Sequence, residues 1–148
     1  MQKSESRATM VYAGLLLAFC GRVLGQWLQT VTTIRWLPPF EAWQSGLLPY
    51  PVLLIFQMAI IAACLSFLWK IMTGRLKRLP GRGAWLRIAG WVYMAVAIAR
   101  LVLGLTLIHG LAFFDHKVPA TFHLVLAAMV MIWAGFHRRA KPSVPPSV

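Results

Sequence analysis

Four long apolar stretches dominate the sequence, at roughly residues 10–28, 52–72, 88–113 and 120–136. A helix of about 20 residues crosses a hydrocarbon core, and shorter runs manage it when flanking side chains can snorkel to the interface. Only helices and closed barrels satisfy their own backbone hydrogen bonds in lipid. These stretches therefore predict an all-α chain, an integral membrane four-helix bundle with up-down connectivity. Composition agrees, since 59% of the residues are hydrophobic and only 12% charged, outside the usual soluble range. Residues 1–140 read as one four-helix domain, with a polar head over residues 1–8 expected to be disordered. A short Pro-rich tail, 141–148, cannot continue a helix.

The first stretch follows Lys3 and Arg7, as a secretory signal would. It has no small-x-small cleavage site after the apolar run and carries Arg22 and Gln26, so it reads as a retained span. Cations near helix ends are held on the cytoplasmic face during insertion. Arg75, Lys77, Arg78, Arg82 and Arg87 fill the link between the second and third spans. Lys3 and Arg7 sit in the head, and Arg138, Arg139 and Lys141 near the tail. The other two connections offer only Arg35 and Lys117, offset by Glu41 and Asp115. Both termini are thus expected in the cytoplasm, and the net charge of +12 implies attraction to anionic lipid headgroups. The cations are split over short segments, with no basic domain interleaved with aromatics, which argues against a nucleic-acid partner.

The connection at 34–51 is too apolar and aromatic for a freely solvated loop. Pro38, Pro39, Pro49 and Pro51 break any long helix, leaving room for one short turn within 40–46. It is expected either to lie in the outer interface, where Trp36, Trp43 and Tyr50 suit the headgroup level, or to fold back as a cap.

Polar residues inside the spans carry the functional signal, because an intramembrane charge needs a partner. Arg22 and Arg100 each lie twelve residues into their spans, about 18 Å from the cytoplasmic edge at 1.5 Å per residue. Gln57 approaches that depth from the opposite end of the second span, Gln26 follows Arg22 by one turn, and Tyr93 shares a helix face with Arg100. The chain has just three acids, and Glu41 is the one placed to fold inward as a counter-ion. The expected site is therefore Arg22, Gln26, Glu41, Gln57, Tyr93 and Arg100. Its positive excess suits a lipid phosphate, a carboxylate or a quinone carbonyl. The competing reading is that both arginines snorkel or bind helix-end carbonyls and serve only to tie the bundle together.

His109 and His123 flank the second short connection and suggest an alternative, a pair of imidazoles ligating b-type haem or handling quinone. The metal reading rests on those two histidines alone. A proton-coupled transporter is a further alternative that would need Glu41 in the core. No G-x-S-x-G elbow, H-E-x-x-H helix or P-loop occurs, so standard hydrolytic catalysis has no support. Cys20 and Cys64 are too few and too far apart for a CxxC pair or a zinc knuckle. Gly14, Ala18, Gly21 and Gly25 form a small-residue stripe, expected to be a packing seam within the bundle or between subunits of a homo-oligomer or larger membrane complex.

The helix order, the segment Gly21-Arg22-Val23-Leu24-Gly25 and the long first loop are similar to small four-helix bacterial membrane proteins of the DoxX-like kind. The resemblance is one of topology over most of the chain. It implies a four-helix membrane fold, and a bacterial inner membrane is the expected location. It carries no motif from which residues or an activity transfer.

Overall fold

The computed structural model of the chain describes residues 3–43, 48–77, 79–106 and 117–138. They form four helices: α1 Lys3–Val31, α2 Tyr50–Met72, α3 Pro80–Thr106 and α4 Lys117–Arg138. A single 3-10 turn, Phe40–Trp43, lies in the connection between α1 and α2. All four helices are long and apolar enough to cross a membrane.

Two helices begin earlier than hydropathy suggests. α1 starts at Lys3, so the head is helical where disorder was expected. Glu5 in the first turn complements the helix dipole, and the Thr9 hydroxyl donates to the Glu5 carbonyl at 2.9 Å. α3 starts at Pro80, eight residues before the apolar run. Proline at the first helical position has no N–H to leave unsatisfied, and its fixed φ suits the helix. The basic residues Arg82 and Arg87 therefore belong to α3. α2 ends where Gly74, at φ 68°, takes the left-handed conformation and turns the chain out of the helix.

α4 is the centre of the assembly, packed against α3 on one side and α1 on the other, and α1 also packs on α2. Small residues set the α3–α4 seam. Gly90, Ala97, Ala127 and Ala134 are buried, and a Cβ at Gly90 would lie 2.8 Å from the Met131 sulfur, so the backbones approach closely. α2 is held by aromatic rings. Phe67 stacks edge-on to Tyr12 of α1 at 5.2 Å and meets Trp133 and Phe136 of α4 at 4.8 and 5.9 Å. Tyr12, Phe67 and Phe136, with Leu16, Cys64, Ile71 and Met129, form the buried core, and the partly buried Trp133 packs against it.

The outward faces are apolar, notably on α3, where Trp85, Ile88, Trp91, Val92 and Val96 are all more than half exposed. Monomeric soluble proteins rarely expose contiguous apolar surface of this extent. The glycine stripe divides. A Cβ at Gly14 or Gly21 would meet nothing within 4 Å, and Ala18 is exposed, whereas Gly25 is buried under Trp43. Three of its four positions thus lie on an open face instead of a seam inside the bundle.

Candidate functional site

The connection between α1 and α2 folds back onto the bundle, and a glutamine organises it. The Gln29 amide nitrogen stands 3.1, 3.2 and 2.8 Å from the carbonyls of Ile34, Leu37 and Pro38, its two hydrogens shared among the three, and its oxygen accepts from the Ile34 N–H at 3.0 Å. One side chain thereby satisfies backbone groups that no regular element covers. The Trp43 indole N–H donates to the Pro38 carbonyl at 2.9 Å, and its ring lies flush on Gly25, where an added Cβ would stand 3.2 Å from the ring. Only glycine leaves room for the indole to seat at full depth.

Beneath this cap is a cavity of about 110 Å³. Its polar lining comes from three helices: Arg22 of α1, Gln57 of α2 and His123 of α4. Its apolar lining includes Phe19, Trp43, Leu53, Phe56 and Phe122. The three polar positions lie about 14, 10 and 9 Å inside their helix ends at 1.5 Å per residue, which is why helices of alternating direction bring them to one level.

Arg22 is buried, 8% exposed. Its Nη2 donates to the Trp43 carbonyl at 3.1 Å, and the guanidinium stands 5.3 Å from the Phe122 ring centroid, a cation–π contact. Its Nε is buried and has no hydrogen-bond partner. Gln57 donates from Nε2 to Gln26 Oε1 at 3.1 Å. Gln26 is fully buried and Gln57 is 3% exposed, yet Gln26 Nε2 and Gln57 Oε1 are both left over. Exchanging oxygen and nitrogen in both amides leaves the same deficit, one donor and one acceptor. On the far wall the Tyr93 hydroxyl lies 2.6 Å from His123 Nδ1, joining α3 to α4. Arg22 and Arg100 are both close enough to His123 to act on it electrostatically, and Arg100 also acts on Tyr93.

Of the six residues expected at the site, Arg22 and Gln57 line the cavity. Gln26 stands behind Gln57, and Tyr93 behind His123. Arg100 is half-buried on α3, near His123 but outside the cavity lining. Glu41 is exposed and does not supply the inward counter-ion. Trp43, two residues along the same 3-10 turn, goes inward instead, and its carbonyl takes the guanidinium. The role of Trp43 was not visible in the sequence, because a backbone carbonyl has no residue signature. His123 was singled out as a haem ligand with His109, and its hydrogen bond to Tyr93 was missed. His109 lies outside the described residues. Among the described residues no group of three or more His, Cys, Asp or Glu side chains could hold a metal ion.

The amide pair makes a sharp prediction. Replacing both partners of a buried hydrogen bond with apolar groups is close to neutral, whereas removing one strands the other. Gln26→Leu and Gln57→Leu should each lower stability by about 1 kcal/mol, the scale of interhelical hydrogen bonds in membrane proteins. The double variant should come within about 0.5 kcal/mol of the parent. Thermal unfolding in detergent measures all three, and a double variant as weak as the sum of the singles would contradict the pairing.

No protein-family model, curated protein or solved structure matches this chain.

Proposed function

We propose that the chain is a small integral protein of a bacterial inner membrane, both termini cytoplasmic, whose cavity binds the polar head of a hydrophobic ligand without catalysing a reaction on it. The membrane reading is supported by the exposed apolar faces and by four helices of spanning length. The orientation is supported by the distribution of lysine and arginine. A reporter fusion tests it: green fluorescent protein at the C-terminus should fluoresce, and alkaline phosphatase inserted at Trp36 should be active.

The observation that carries the ligand proposal is that three of the six buried side-chain atoms without a hydrogen-bond partner among the described residues, Arg22 Nε, Gln26 Nε2 and Gln57 Oε1, gather at this cavity. An unsatisfied buried polar group costs about 1–3 kcal/mol, and three in one place mark a site built for something else to complete. Two of the three residues line the cavity. Arg22 provides a fixed cation with hydrogens to give, so the matching head is a carboxylate, a phosphate oxygen or a quinone-type carbonyl. Gln57 Oε1 accepts a hydrogen from a hydroxyl or acid group on the same head. The apolar remainder leaves between Leu53 and Phe56 of α2 and Phe122 of α4, which line the cavity's sides.

Extraction and mass spectrometry of small molecules bound to detergent-purified protein test this reading. The parent should retain one defined species at close to one per chain. The Gln26→Leu/Gln57→Leu protein, folded but lacking the acceptor, should retain at least tenfold less. A parent carrying only bulk lipid, in the same proportions as the variant, would end the proposal. A quinone-type species would be recognised by an ultraviolet spectrum that changes reversibly on reduction, and a lipid would not show it.

A further inference from the structure

The opposite end of the bundle holds a second, larger cavity, about 650 Å³, bounded by the end of α2, the link to α3, and the facing ends of α3 and α4. Four cations line it: Lys70 of α2, Arg75 and Lys77 of the link, and Arg82 of α3. Neither Glu5 nor Glu41, the acids among the described residues, does. Its inner wall is apolar, with Ala63 and Phe67 on α2 and Trp133 on α4. With no acid among the described residues lining it, these cations make the cavity strongly electropositive.

Local structure keeps the cluster in place. The left-handed Gly74 turns the chain directly after α2, and the Arg75 guanidinium folds back to stand 5.1 Å from the Trp69 ring centroid. His137 fixes the other side. Trp133 Nε1 lies 3.1 Å from its Nε2, and the Leu79 N–H lies 3.3 Å from its Nδ1. A neutral imidazole has one acceptor nitrogen, so it accepts from one of these donors at a time; the Leu79 contact ties the link to the end of α4, and the Trp133 contact lies within α4. A separate groove of about 570 Å³ along Trp85, Leu86 and Ala89 of α3 meets the first at Arg82, Trp133 and His137.

We infer that this basic cavity is a binding site for one anionic phospholipid, the phosphate seated among Lys70, Arg75, Lys77 and Arg82 and the acyl chains laid along the apolar walls on either side of Trp133. Charge selects the headgroup. The apolar inner wall and the adjoining groove select a lipid over a free phosphate, because a soluble anion leaves both uncovered. Basic pockets between helix ends are a recurrent solution for anionic headgroups. The site is at the other end of the bundle from the Arg22 cavity and stands or falls independently of it.

Native mass spectrometry of the full chain in detergent tests the inference, with dioleoylphosphatidylglycerol or dioleoylphosphatidylcholine added at equal concentration. One phosphatidylglycerol should bind with at least fivefold preference, and Arg75→Gln/Lys77→Gln/Arg82→Gln should abolish the preference. All three side chains are exposed, so the fold does not depend on them. The matched variant Lys3→Gln/Arg7→Gln/Arg87→Gln, which removes the same charge outside the cavity, should retain the preference. Equal binding of the two lipids, or equal loss in both triple variants, would overturn the site. Inorganic phosphate should fail to raise the thermal midpoint at concentrations where phosphatidylglycerol raises it. An equal shift from phosphate alone would overturn the lipid assignment in favour of a soluble anion.

Discussion

Arg22→Ala protein is expected to keep its four helices and lose its ligand. The residues that pack α1 into the core, Tyr12, Leu16, Phe19 and Val23, are untouched, so circular dichroism and elution in detergent should match the parent. The losses are the hydrogen bond that pins the Trp43 carbonyl and the cationic donor of the cavity. Hydrogen bonds to charged groups contribute about 1.5–3 kcal/mol, and each 1.4 kcal/mol is tenfold in affinity. Retention of the copurifying species should therefore fall between roughly tenfold and a hundredfold. Arg22→Lys should fall between the two, because an ammonium keeps the charge but cannot reach the carbonyl and a ligand with a rigid fork of donors. Unchanged retention in Arg22→Ala, measured by extraction and mass spectrometry, would remove Arg22 from the site.

The second large effect is structural. Phe67 is 3% exposed, and its ring touches Tyr12 of α1 together with Trp133 and Phe136 of α4, which makes it the peg that fastens α2 to the other helices. A core Phe→Ala change in water costs about 3–5 kcal/mol. In a bilayer or detergent micelle the transfer component is largely missing, because the surroundings are as apolar as the core, and lost packing remains. Phe67→Ala should accordingly cost about 2–4 kcal/mol and lower the thermal midpoint in detergent. Phe67→Leu, which refills most of the volume, should cost about 1 kcal/mol. A change below about 0.5 kcal/mol for Phe67→Ala would show that α2 is held by something other than this ring cluster.

The four helices were legible in the sequence because long apolar runs leave few other ways to satisfy a backbone in lipid. Their ends were less so. Hydropathy reports where side chains are greasy, and helical hydrogen bonds do not stop there, so Lys3–Ala8 and Pro80–Arg87 were read as head and loop although both are helical. The convergence of Arg22, Gln26 and Gln57 was accessible, since depth can be counted along a helix at a fixed rise. Glu41 was assigned inward because it was the one acid within reach, but the guanidinium donates from Nη2 to a carbonyl and lies over an aromatic face instead, and neither announces itself by charge. The Tyr93–His123 hydrogen bond joins α3 to α4 across a register that no spacing rule fixes, so pairing His123 with the nearer His109 missed it. The basic cavity was partly legible as a run of cations around 75–87. Its apolar inner wall comes from Phe67 and Trp133, which only the packing of α2 against α4 brings to the same place.

The unmet hydrogen bonds of Arg22, Gln26 and Gln57 are the centre of this account, and a high-resolution density map of the protein purified into lipid nanodiscs tests them directly. The predicted result is continuous density in the 110 Å³ cavity, extending out between α2 and α4, with a polar end within hydrogen-bond distance of Arg22 Nε and Gln57 Oε1. A cavity holding only separate water peaks that bridge those atoms to one another would contradict it, because water would then complete the site and no ligand would be needed.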